Sequence, residues 1–150
     1  CGGVNYTFSG ADIGTATTIS INYFANKAPL NAPQLSQIFT EKLKTKFIRE
    51  TSLKLVEDNG DMQLTGYISD YRVTPVAIQN NTTAAQNRLT ISINVTFKNT
   101  SNDKTNFDET ISNFADFDAA TNLSTVETAL INEISDKIVQ EIFNKAVINW

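Results

Sequence analysis

Residue types that carry out chemistry are scarce in this 150-residue chain. It contains one cysteine, Cys1, and no histidine, so neither a Cys–His nucleophile pair nor a Cys/His zinc site can form within it. The sequence also lacks a P-loop, a dinucleotide-binding glycine pattern, a nucleophile elbow and an EF-hand loop. We therefore expect a protein that is not an enzyme.

Asp116 and Asp118 are the strongest remaining candidates for chemistry, since they lie two residues apart on one face of a predicted strand. Paired carboxylates serve glycoside hydrolysis and divalent-cation binding. A solvated strand end before a turn produces the same pattern, and we favour that interpretation. The acidic turn from Glu57 to Asp61 is interpreted in the same way, so we expect no metal site.

The position of Cys1 predicts a covalent lipid. A chain that starts Cys1-Gly2-Gly3 has the form of a bacterial lipoprotein cut immediately before its lipidated cysteine. Acyl chains such as palmitate contribute about 0.8 kcal/mol for each buried methylene, and two or more chains anchor a protein stably. We expect this lipid, no other cofactor, and delivery to the outer membrane, which Gly2 in place of aspartate fits. A chain boundary that falls on a cysteine by accident is the alternative.

Charge and hydropathy exclude two other classes. The net charge is −4 and the sequence pI is about 4.7, so the chain lacks the broad electropositive face that nucleic-acid binding requires. The basic residues Lys42, Lys44, Lys46 and Arg49 point to different sides of a predicted helix and form no single patch. No apolar run approaches the roughly 18–20 residues that span a bilayer. Membrane association therefore has to come from the lipid.

Hydrophobic periodicity divides the chain into a tether or lead-in over residues 1–16 and one domain over residues 17–150. The first helix is predicted from Pro33, capped by Asn31 or Ala32, to about Thr51, and the last helix follows a capping box of Ser124 and Glu127. Two ion pairs between residues four apart, Glu133–Lys137 and Glu141–Lys145, are predicted on the outside of the last helix. The predicted strands are Thr17–Phe24 with Ile19, Ile21 and Tyr23 on one face, Leu53–Val56, Met62–Pro75, Arg88–Lys98, and Thr105–Phe117. The strand Met62–Pro75 is apolar on both sides toward its end, which a bulge near Asp70 or a partly covered second face would explain.

This order of elements predicts an α+β fold. The two helical apolar stripes need a common partner, and the strand at Leu89–Phe97 alternates strictly between apolar and polar residues. We expect a two-layer sandwich in which two long helices pack on one face of a mostly antiparallel or mixed sheet of four to five strands. The first and last elements should lie close together.

Six segments spread over essentially the whole chain carry a family resemblance. They are packing and turn signatures without chemical motifs, and they comprise residues 6–10, Ile19–Phe24, Leu35–Leu43, Asn87–Ile91, Phe114–Asp118 and Ile142–Trp150. In these segments the chain resembles the LptE family of Bacteroidetes-type lipoproteins. The resemblance implies an outer-membrane lipoprotein, facing the periplasm, that sits inside or against the β-barrel of LptD and helps that barrel assemble. It also implies contact with lipopolysaccharide during transport to the outer leaflet.

An anionic glycolipid requires cationic contacts, and three residues are candidates for them. Arg72, Arg88 and Lys98 lie on strands predicted to be neighbours, and Arg88 and Lys98 share one strand face. Ordinary surface charges on strands are the alternative interpretation.

Two other functions compete with partnership of a barrel. One is an envelope lipoprotein that regulates another machine, such as an activator of peptidoglycan synthases, for which a tether of about 16 residues is short. The other is a lipid- or glycolipid-binding module that acts alone, which requires a concave apolar pocket.

Overall fold

The computed structural model describes residues 12–30, 32–77 and 85–148. Within these ranges the two helices are α1, Pro33–Glu50, and α2, Leu123–Val147. The strands are β1 Thr18–Ile21, β2 Ala25–Asn26, β3 Lys54–Val56, β4 Met62–Val76, β5 Gln86–Asn99 and β6 Phe107–Asp118. Neither helix is long and apolar enough to cross a membrane. The predictions for Cys1, for residues 1–11 of the tether, for Asn31 and for Trp150 lie outside the described residues.

The strands form one mixed, open sheet, which confirms the predicted α+β class. Five strands follow the order β3-β1-β4-β5-β6, and the two-residue β2 also pairs with β4. The β1–β3, β1–β4 and β2–β4 pairings are parallel, whereas β4–β5 and β5–β6 are antiparallel. The register shifts between Ile68 and Asp70, where the bulge was predicted.

The core lies between both helices and one face of the sheet, as predicted. Every residue of the predicted stripe on α1 is fully buried, and the inward residues of β5 are at most 1% exposed. These residues are Leu35, Phe39, Leu43 and Phe47 on α1, and Leu89, Ile91, Ile93, Val95 and Phe97 on β5. The amide of Asp12 donates to the carbonyl of Val147, so the start of the described chain lies beside the end of α2. Ile13 and Ala16 are each 1% exposed, and the packed region therefore begins before residue 17.

The predicted strand Thr17–Phe24 is wrong in its second half. The strand ends at Ile21, and Tyr23 is 62% exposed, whereas Phe24 is fully buried. The cause is a hydrogen bond from the Phe24 amide to Thr40 Oγ1 on α1, at 3.1 Å. It turns the chain so that the Phe24 ring packs edge-on against Phe39, with 5.2 Å between centroids.

The predicted capping box at the start of α2 is also wrong. The N-cap is Asn122, whose Oδ1 accepts from the Ser124 amide at 3.2 Å. Glu127 instead accepts hydrogen bonds from the Tyr71 hydroxyl and from Gln34 Nε2. The carboxylate thus serves to join α2 to β4 and α1.

One predicted ion pair on α2 forms and the other is replaced. Glu133 and Lys137 are 3.3 Å apart, as expected for residues four apart on a helix. Lys145 does not form the predicted pair with Glu141, because it lies 2.9 Å from Glu109 on β6. This contact ties the last turn of α2 to the edge of the sheet.

Hydrogen bonds to Asp61 join the start of β1 to the start of β4, and they should make the free energy of unfolding depend on pH in the acid range. Its Oδ2 accepts from the Thr17 amide at 2.8 Å, the Thr17 hydroxyl at 3.0 Å and the Thr18 amide at 3.3 Å. These hydrogen bonds, the Thr17 amide foremost, lower the pKa of Asp61 below its ordinary value of 3.8. A lowered pKa contributes stability that is present above pH 3.8 and is lost as pH falls through the folded-state pKa.

We expect Asp61→Asn to lower the free energy of unfolding at neutral pH. Below pH 4 the stability of the variant should vary less with pH than that of the wild type, because the titrating carboxylate is absent. The urea midpoint measured from pH 6 to pH 3 checks this. Asp58→Asn, in the exposed turn, is the matched control and should follow the wild type. An acid dependence in Asp61→Asn as steep as that of the wild type would contradict this role.

Candidate functional site

The face of the sheet opposite the two helices, here called the outer face, is built from neutral hydrogen-bonding side chains. On β5 these are Thr90, Ser92, Asn94 and Thr96, which alternate with the buried core positions. The Ser92 hydroxyl lies 2.6 Å from the Ser112 hydroxyl of β6, and Asn94 Nδ2 donates to Thr110 Oγ1 at 3.4 Å. Hydroxyl and amide groups therefore make the contacts between β5 and β6 here, while Asp70 of β4, opposite Ser92, places a carboxylate on the same face.

Charge on the outer face is concentrated where β5 begins. Arg88 lies directly opposite Asp116 in the register and donates to it twice, from Nε at 2.8 Å and from Nη2 at 3.1 Å. The guanidinium also stacks on the ring of Phe114, with its carbon 3.8 Å from the centroid. This two-point pairing and the stacking hold the guanidinium flat against the sheet.

The hydrogen bond between Arg88 and Asp116 fixes both groups in their charged forms. It raises the pKa of Arg88 and lowers the pKa of Asp116, while partial burial opposes both shifts. Asp118 Oδ1 accepts from the Ala120 amide at 2.8 Å, as a turn cap does. The two carboxylates thus have separate structural partners, in agreement with the favoured interpretation. In residues 12–30, 32–77 and 85–148, no group of three or more acidic, histidine or cysteine side chains is placed to hold a metal ion.

The structure brings two of the three predicted contact residues together. The register places Arg72 opposite Thr90 and Arg88 opposite Thr74, so the two arginines are diagonal neighbours on the outer face, within reach of each other's long side chains. Arg72 also pairs with Asp70. We define Arg72 and Arg88 as the arginine pair.

Lys98 shares the outer face but lies far from the arginine pair. It is opposite Gln63 at the far end of β5. Ten residue steps separate it from Arg88, which corresponds to about 34 Å along an antiparallel strand. One ligand headgroup therefore does not contact all three cations.

Phe114 is a part of this site that was not predicted from the sequence. It is 42% exposed, whereas Ile111 and Phe117 on the same strand are buried. Its even number gave the signal, since alternate strand residues point to opposite faces and the buried residues have odd numbers.

Comparison with known proteins identifies the family and the fold. The family model for LptE, described as lipopolysaccharide-assembly, matches residues 16–146. No curated protein sequence matches the chain. The hypothetical protein CT253 from Chlamydia trachomatis has a similar structure, with a TM-score of 0.61, 9% identity, and coverage of 89% of this chain and 99% of that one.

Two further structures are similar. A protein of Helicobacter pylori, described as a neuraminyllactose-binding hemagglutinin homolog, has a TM-score of 0.55 and 7% identity, with 87% of this chain and 82% of that chain covered. The rare lipoprotein B from Shewanella oneidensis has a TM-score of 0.46 and 14% identity, with 84% and 93% covered. At these identities the likeness concerns the fold alone.

Proposed function

The chain belongs to the LptE family of lipopolysaccharide-assembly proteins, and we propose that it is an outer-membrane lipoprotein, facing the periplasm, that partners an LptD-type β-barrel. In this proposal it is not an enzyme and helps the barrel assemble for lipopolysaccharide transport to the outer leaflet. The observation that carries the proposal is the match to the family model over residues 16–146. That span includes all six strands and nearly all of α2.

The composition of the outer face supports a barrel partner. The lumen of a transmembrane barrel is polar. Threonine, serine and asparagine can pack against such a wall and exchange hydrogen bonds, whereas charged side chains would lose their hydration. The contacts of Ser92 with Ser112 and of Asn94 with Thr110 have this neutral character, and the charge of Asp70 beside Ser92 is paired with Arg72.

The proposed anchor on Cys1 would keep the domain close to the membrane. The lipid itself is part of the proposal.

We further propose that the arginine pair contacts the anionic groups of lipopolysaccharide. Asp116 uses two N–H groups of Arg88, and a guanidinium has five. Three donors therefore remain for a phosphate or carboxylate. Arg72 adds a second guanidinium, with 58% of its side chain exposed.

Arg72→Gln/Arg88→Gln is expected to weaken lipopolysaccharide binding about tenfold, the loss of about 1.4 kcal/mol that a charge-assisted hydrogen bond supplies. Binding of purified lipopolysaccharide by the folded protein, monitored by calorimetry, checks this. Lys98→Gln is the matched control on the same face and should bind as the wild type does. Equal affinity of the double variant and the control would remove the arginine pair from the proposal.

Depletion in the host bacterium tests the assembly role. We expect depleted cells to contain less correctly folded barrel and less surface lipopolysaccharide, and a plasmid copy of the gene to restore both. Unchanged barrel and lipopolysaccharide levels, with altered peptidoglycan synthesis, would move the function to the regulation of another machine.

A further inference from the structure

A groove lies between α1 and the sheet edge formed by β3, on the side of the molecule away from β6. We call it the β3 groove; its volume is about 540 Å³, and it is lined by Ile21, Asn22, Tyr23, Lys44, Leu55, Val56, Glu57 and Asp58. Two of its side chains are large, apolar and unusually exposed, Tyr23 at 62% and Leu55 at 40%.

Both side chains are exposed because regular sheet structure ends beside them. Leu55 is opposite Ile19 in the β1–β3 register, so it lies on the face toward the helices. Because β3 is at the edge of the sheet, however, α1 covers Leu55 only in part. Tyr23 is turned outward by the end of β1 at Ile21. Apolar surface placed together in this way favours an apolar partner.

The main chain of Leu55 is open to a partner strand. The Lys54 amide donates to the carbonyl of Thr17, the residue before β1, at 3.0 Å, and successive residues of a strand direct their polar groups to alternate sides. The N–H and C=O of Leu55 therefore point to the free edge, where no residue in the described part of the chain hydrogen-bonds to them.

The opposite sheet edge is blocked, by contrast. On β6 the Phe114 amide donates to Asn113 Oδ1 at 2.9 Å, and Lys137 Nζ donates to the Phe114 carbonyl at 3.2 Å. Such local bonds deter pairing with another strand. On the three-residue β3 edge, by contrast, no local bond of this kind covers the N–H and C=O of Leu55 among the described residues.

The charges of the β3 groove are also without partners. Lys44 lies on α1, and Glu57 and Asp58 lie in the turn after β3. None of the three belongs to an ion pair with another described residue. The acidic pair next to an apolar patch is complementary to a segment in which an apolar side chain is followed by lysine or arginine.

We propose that the β3 groove binds an extended segment of the barrel protein by strand addition at Leu55. An apolar side chain of that segment packs between Tyr23 and Leu55, and a following basic residue meets Glu57 and Asp58. The inference rests on the proposed function for the identity of the partner.

The test uses the full lipidated protein in its host, with the photoreactive p-benzoylphenylalanine in place of Tyr23. We expect a covalent adduct with the barrel. The matched control carries the same group at Leu30, which is 53% exposed outside the groove, and should give no barrel adduct. Glu57→Lys/Asp58→Lys should lower the recovered barrel about tenfold, the loss of about 1.4 kcal/mol. Asp103→Lys/Glu141→Lys, on exposed positions in the turn after β5 and on α2, should not.

The outcomes separate the two proposals. Recovery of the barrel without an adduct at position 23, or with equal adducts at positions 23 and 30, overturns the groove assignment and leaves the proposed function standing. An adduct between two copies of the chain also overturns it. Failure to recover any barrel with the wild-type protein contradicts the proposed function itself, and the groove assignment with it.

Discussion

Gly66→Ala is expected to destabilise the protein by about 3 kcal/mol, at the upper end of the cost of overpacking. Gly66 lies inside β4, at φ +156°, and a Cβ atom there would be 2.0 Å from the Asn94 carbonyl oxygen of β5 and 2.7 Å from the Phe24 ring. The oxygen belongs to β5, which pairs with β4 on one side and β6 on the other, and it cannot move without breaking the β4–β5 ladder. Urea unfolding of the variant measures the loss.

Gly14→Ala is the matched control for this prediction. Gly14 also has a positive φ, +57°, but a Cβ atom there would meet nothing within 4 Å. Only backbone strain remains, which costs about 1–2 kcal/mol. If Gly66→Ala lost no more stability than Gly14→Ala, close packing between β4 and β5 would not be the reason for the glycine.

Phe47→Ala is expected to cost about 3–5 kcal/mol, the range for removing a buried phenylalanine. Phe47 is fully buried in the last turns of α1. Its ring packs edge-on against Phe143 of α2, with 5.1 Å between centroids, so the variant opens a cavity between the helices and also loses an aromatic pair. The free energy of unfolding in urea is the measurement.

The next residue on the helix provides the control. Ile48 is 46% exposed, although its position next to the apolar stripe predicted a wider buried face. Ile48→Ala should change stability by less than about 0.5 kcal/mol, as surface substitutions do. Similar losses for Phe47→Ala and Ile48→Ala would show that the packing of α1 on α2 is not as described.

The long elements were predictable because their signals are local. The four-residue recurrence from Leu35 to Phe47 and the strict alternation from Leu89 to Phe97 each require one buried face, and the structure buries both sets. Pro33 marked the helix start, since its missing N–H is no loss there. The apolar residues of β4 change from even to odd numbers before Tyr71, and this change indicated a bulge.

The errors come from contacts between residues far apart in sequence. Phe24 is drawn inward by Thr40, and Glu127 is taken from the predicted capping box by Tyr71, 56 residues away. Lys145 meets Glu109 across the sheet edge in the same way. None of these partners can be read from the segment in which the error occurs.

In the candidate site, too, the features that depend on local sequence were predictable, and those that depend on distant contacts were not. Strand alternation alone placed Arg88 and Lys98 on one face, and the ten steps between them already implied their separation. The proximity of Arg72 to Arg88 depends on the β4–β5 register, which includes the shift after Ile68. The exposure of Tyr23 in the β3 groove depends on the end of β1 at Ile21, and that in turn depends on the contact of Phe24 with α1.

Co-purification from host membranes is the direct test of partnership with an LptD-type barrel. The full protein, tagged at its C-terminus and produced in its host, is extracted from membranes in mild detergent. Mass spectrometry then identifies the proteins that remain bound and the modification of Cys1. We expect a large β-barrel protein in nearly equal amount, with Cys1 acylated. Recovery of the acylated protein without a barrel, or with a peptidoglycan synthase in its place, would contradict the claim.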